Sequence, residues 1–175
     1  NSWKEAIRNL QSWEALLLLD KEIQNDSNWE RRIEWALKLK IEPILAFIVI
    51  SKDVVNLAKR LKVNDRQKNI LKERLKFESW LKTIVKDKNC SNWPASEWCK
   101  QIESQKWHRE VIALSISMEI NYWEILYKWL YEWKDIKSPI SAKELIENGW
   151  EPGPELGEKI SKLRQIHIDK ENKNN

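Results

Sequence analysis

Two cysteines and two histidines are the side chains here most able to hold a metal or to pair a nucleophile with a base. Cys90, Cys99 and His108 are evenly spaced, but a zinc site needs at least one further ligand, and His167 lies far along the chain. No Cys-x-x-Cys occurs, and the thiols form no disulfide framework, which fits a cytoplasmic protein. None of the seven aspartates sits two residues from another, so the Asp-x-Asp metal pair of nucleotidyl transfer is missing. Gly-x-Ser-x-Gly and the glycine loops that cradle phosphates are absent as well. The expectation is therefore no catalytic residue and no metal site within this chain.

Charge offers a different chemistry. The net charge is only +4, yet residues 52–88 hold twelve Lys or Arg against five acids, and residues 159–175 hold five against two. Arg66, Lys68, Lys72, Lys76 and Lys86 fall largely off the apolar stripe of one predicted helix, and Lys159, Lys162 and Arg164 follow in the second block. Such a face suits a phosphate backbone, whose binding is carried by Lys and Arg. A charge run is equally the mark of a solvated helix surface. Twelve tryptophans add aromatic faces on which bases could stack. Most lie on or beside the apolar stripes and read as core, with Trp107 and Trp150 as the expected exceptions.

All three glycines fall between Gly149 and Gly157. Gly149 suits a left-handed helix cap, Gly153 a tight turn, and Pro154 the first position of a helix. Gly157 removes a side chain where something approaches closely. That something is a phosphate at the helix N-terminus or a neighbouring helix. Glu151, Glu155 and Glu158 favour the helix, because they would repel phosphate.

The elements that must position these residues read as helices throughout. Three glycines and five prolines in 175 residues are too few for the turns of a sandwich or barrel, whereas 42% apolar and 33% charged residues suit a folded domain. The longest apolar stretch, residues 44–50, is far short of the ~20 needed to span a bilayer. A helix capped by Ser2 is expected to about Gln24, and Ser27-x-x-Glu30 reads as a capping box for the next. Pro43 opens a short buried helix, Ser51 caps another, and Asn64-x-x-Gln67 starts a long one to about Lys86. Residues 88–93 read as a loop and a sub-boundary, and Pro94 opens a further helix. Segments over about 105–119 and 122–134 follow, the second capped by Asn121. Ser141-x-x-Glu144 is a third capping box, ended by Gly149, and a last helix runs from Pro154 to about Ile168 before a frayed end. The expected fold is all-α, an array of about eight to ten helices. A body spans residues 1–137, and a helix-turn-helix tail spans 138–175.

Residues 144–160, Glu-Leu-Ile-Glu-Asn-Gly-Trp-Glu-Pro-Gly-Pro-Glu-Leu-Gly-Glu-Lys-Ile, with Leu163, Arg164, Ile168 and Asp169, resemble the C-terminal tail of bacterial class II tRNA nucleotidyltransferases, the CCA-adding enzymes and poly(A) polymerases. The match covers about 30 residues; Trp29-x-x-Arg32-Ile33-x-Trp35-Ala36-Leu37 is a looser match to the helical body. The family combines a catalytic head, a nucleotide-selecting neck, and a body and tail that grip tRNA. The head and neck motifs are absent, and the chain begins without Met, so it reads as body and tail cut from a longer protein. The resemblance implies tRNA or another RNA as partner, and the head and neck of the same chain as a second. It implies no cofactor for this piece, with Mg²⁺, CTP and ATP belonging to the parent enzyme. The rival expectation is a non-catalytic helical scaffold whose tryptophans anchor protein contacts.

Overall fold

The computed structural model describes residues 2–87 and 90–174 and is all-α, with eleven α-helices and no strand among the described residues. The side chain of Ser2, on which the first expected cap rests, and residues 88 and 89 of the expected mid-chain loop lie outside what is described. The chain forms two compact units, one of residues 1–83 and 107–123, the other of residues 84–106 and 124–175.

The first unit begins with α1 (Ser2–Ser12), α2 (Lys21–Gln24), α3 (Trp29–Lys38), α4 (Pro43–Ile48) and α5 (Val54–Arg60). The single helix expected to Gln24 is broken. Glu14 adopts a left-handed φ of 57°, a short 3-10 turn follows at Ala15–Leu18, and the Asp20 carboxylate caps α2 by accepting from the Glu22 N–H at 2.7 Å. Of two further expected serine caps neither forms, and one of them moves to a neighbouring aspartate, a residue equally suited to accept from backbone N–H groups. The Ser27 capping box does not form; Asp26 instead accepts from Asn28 N–H at 2.9 Å. Asp53 rather than Ser51 caps α5, while the Ser51 hydroxyl donates to Asp20 at 2.7 Å. Asn64 does open the long α6 (Asp65–Asp87), accepting from Gln67 N–H at 2.9 Å.

At the centre of this unit is α8 (Arg109–Ser117), in which every residue from Val111 to Ser117 is buried. Because no face meets water, its Ser115 and Ser117 hydroxyls donate back to Val111 and Leu114 carbonyls at 2.9 and 2.7 Å. Ile33 and Ala36 of α3, Leu45 and Ile48 of α4, Leu57 of α5, and Leu71 and Phe77 of α6 complete the core.

The second unit holds α7 (Ala95–Ser104), α9 (Trp123–Lys128, its first residue in the first unit), α10 (Ala142–Glu147) and α11 (Pro154–Asn174). The helix expected to about Lys134 widens over Trp129–Trp133, where the Lys134 N–H bonds to Trp129 O five residues back. That extra residue coincides with burial of Trp129, Leu130 and Trp133 together. The end expected to fray continues α11 to Asn174. Asp169 explains part of this: its carboxylate accepts from the backbone N–H and hydroxyl of Ser96 at 2.8 and 2.7 Å, capping α7 from α11.

Candidate nucleic-acid interface

Of the basic residues that the sequence singles out on α6, Arg66 and Lys68 are committed to carboxylates, while Lys72, Lys76 and Lys86 have no ion pair among the described residues. Arg66 pairs with Glu110, and Lys68 with Asp65 at 2.6 Å. That contact holds the Asp65 carboxyl below its usual range. Arg74, in the same block, is buried, bonds Glu78 at 2.7 Å, and has an Nε without a partner. Lys82 also binds Glu78, at 2.8 Å. Lys72 and Lys76 are exposed and have no ion-pair partner among the described residues. Being four residues apart, they share one face.

Their face is wider than the two lysines. Asn69, Lys72, Lys76, Ser79 and Thr83 are all exposed and follow steps of three and four residues, a stripe with no acid over about 21 Å of helix. Glu73 and Glu78 are held elsewhere, whereas Asp65, one turn before Asn69, lies at the start of the stripe and its carboxyl feels Lys72 as well as Lys68. Glu73 accepts from His108 N–H at 3.0 Å and faces its Nδ1 at 2.5 Å, and Glu78 is held by Arg74 and Lys82. The polar members of this stripe escaped the sequence reading, which followed charge alone. Their i, i+3, i+7 spacing without an acid is the signal that would have found them.

The second block is placed differently. Arg164 is not a free cation: its Nη1 and Nη2 grip the Glu103 carboxylate at 2.7 and 2.8 Å, and Nε donates to Ile136 O at 2.7 Å. This bidentate contact raises the Arg164 pKa further and ties α11 to α7 and the loop after α9. Lys159 lies 5.5 Å from the centre of the Trp150 ring, a cation–π contact, and Lys162 is exposed.

The tail turn forms as its residues dictate. Ser141 and Glu144 make the full reciprocal capping box, Gly149 takes a left-handed φ of 92°, and Pro154 starts α11. The close approach expected at Gly157 does not occur within the protein, because a Cβ built there, or at Gly153, meets no atom within 4 Å. Helix packing therefore does not require Gly157. Trp150 is exposed as expected, whereas Trp107 packs edge-on to Phe77 at 5.3 Å and beside Trp80 at 5.7 Å. The most exposed tryptophan is Trp13, at 72%, which its apolar spacing had assigned to the core.

The thiols are inert. Cys90 and Cys99 are both buried, and burial, followed by the Glu103 carboxylate, pushes Cys99 up to about 12. No helix of the described residues is long and apolar enough to cross a membrane. The chain matches no known family model, no curated protein and no solved structure.

Proposed function

We propose that this chain is the RNA-gripping, C-terminal part of a tRNA nucleotidyltransferase or related poly(A) polymerase. The catalytic head and neck would be supplied by the rest of that protein. The observation that carries the reading is the stripe of α6, acid-free from Asn69 to Thr83, with its two unpaired lysines. Lysines outside ion pairs can each neutralise a phosphate and release a counterion. Contacts of this kind fix position without reading sequence, as an enzyme acting on every tRNA requires. The tail, with its exposed Trp150, Lys159 and bare Gly157, adds a second surface on which a backbone can lie close.

Replacing Lys72 and Lys76 with Glu tests it. Affinity should fall by a similar factor for different tRNAs, and the slope of log affinity against log salt should become shallower by roughly 1 per lysine. Unchanged affinity and slope would return α6 to a solvated surface.

One observation favours the scaffold reading instead. An apolar furrow on α1, α3 and α4 is lined by Trp3, Ile7, Leu37, Ile44 and Phe47, with Trp3, Leu37 and Ile44 exposed. If the furrow is the working surface, Leu37→Glu abolishes partner binding, and the double lysine variant leaves it intact.

A further inference from the structure

A second cavity in the first unit is polar. It has a volume of about 260 Å³, with Ile50 and Met118 as apolar walls and Asp26, Arg31, Arg32 and Glu119 among its charged lining. A cavity of about 150 Å³ holds benzene, so this one has room for a two-ring base. Arg32 is only 5% exposed. Its Nε donates to Ala46 O at 2.5 Å and its Nη2 pairs with Asp26, which leaves Nη1 with no partner among the described residues. Nη1 is not fully buried, so it keeps an exposed edge and is free to donate to a bound acceptor. Glu119 sits at the end of α8 with a left-handed φ of 49°. It forms an ion pair with exposed Arg31, yet its buried Oε1 takes no well-aligned hydrogen bond. The cavity thus presents a fixed donor and a carboxylate acceptor between two apolar walls.

We propose that this cavity takes a guanine base. Arg32 Nη1 donates to O6, and Glu119 accepts from N1–H and the N2 amino group, exchanging its ion pair with Arg31 for two charge-assisted bonds. Adenine and cytosine present the reverse pattern: an amino donor would face Arg32 and a ring-nitrogen acceptor would face Glu119, so both are rejected. Uracil has a matching acceptor and a single donor, but one ring. The source is a free guanine nucleotide or an unpaired guanine in RNA, and the RNA case rests on the function proposed above.

Titration of the whole chain with GMP, IMP, AMP and CMP, followed by calorimetry and by amide shifts of residues 26–32 and 117–119, decides it. GMP should bind at least tenfold more tightly than AMP or CMP. IMP, which lacks the N2 amino group, should fall between them. Glu119→Gln should remove most of the preference for GMP over IMP while the melting temperature holds; if that variant does not fold, the IMP comparison on the unaltered protein still decides. A hairpin RNA with one unpaired loop guanine, compared with the same hairpin carrying adenine, separates the two sources. Equal affinities for GMP and AMP, or no shifts at millimolar GMP, would overturn the proposal. Salt-dependent tRNA binding through Lys72 and Lys76 would then stand untouched. Selective GMP binding without tRNA binding would support the cavity and overturn the RNA reading.

Discussion

At Gly157 a methyl group would meet nothing within 4 Å, so the residue gives the protein a helical glycine with no packing return. Glycine in a helix costs about 0.5–1 kcal/mol relative to alanine. Gly157→Ala should therefore stabilise the chain by about that amount, a rise of roughly 2–3 °C in melting temperature for a protein of this size. If the same variant binds tRNA less well although it is more stable, the bare backbone serves an incoming ligand. His108 gives a prediction of the opposite kind. Its contact with the Glu73 carboxylate holds the imidazole above its ordinary value of 6.5. A raised pKa means that the stabilisation is complete below pH 6.5 and disappears as pH rises through the folded value. The melting difference between the native chain and His108→Gln should thus be largest near pH 6 and shrink above neutrality. The effect is small because the imidazole is exposed; a difference that grows with pH would refute it.

Helix ends show how the elements are stopped in a chain with almost no glycine. After α3, Lys40 takes a left-handed φ of 59°, its N–H bonding Leu37 O while Ile41 N–H reaches Ala36 O at 2.8 Å. After α5 the pattern repeats: Lys62 at 55°, with Val63 N–H on Ala58 O at 2.9 Å. These are Schellman stops in which the apolar residue after the lysine, Ile41 or Val63, is buried. The left-handed conformation costs an L-residue roughly 1–2 kcal/mol, and glycine returns about 0.5–1 of that through its freer unfolded chain. Lys62→Gly should stabilise by about 0.5–1 kcal/mol in urea melts. Gly149→Ala, at a φ of 92°, should destabilise by a similar amount. Opposite signs at two equivalent stops are the outcome that a conformational cause requires; two losses would mean that the Lys62 side chain itself contributes.

Across the whole molecule, a net charge of +4 is too small to drive RNA binding by itself, and much of the positive charge on α6 is spent in internal pairs. What remains is local, so affinity should follow a few side chains rather than total charge. The same scale carries the prediction about chemistry. With no Asp-x-Asp pair in 175 residues, the chain incubated with tRNA lacking its 3′ end, Mg²⁺, CTP and ATP should give no extension. Reproducible extension by the purified chain would overturn the assignment of head and body.

Helical class, the long α6, the Ser141 capping box and the Gly149 stop were all legible in the sequence. Each depends on neighbours within a few residues, through N–H and C=O groups that adjacent side chains satisfy or leave open. The break at Glu14, the lysine stops after α3 and α5, and the widened turn at Trp129 were not legible, because no residue type there demands them; burial of Leu16, Ile41, Val63 and Trp133 does. The candidate surface divides in the same way. Sequence located the basic helix and its exposed lysines, since amphipathic spacing alone turns them outward. Which cations stay free was decided only when the fold brought Glu110 to Arg66 and Glu103 to Arg164, partners 44 and 61 residues away. A charge is assigned by sequence, but its partner is a matter of distance in space, and distance is fixed by tertiary packing.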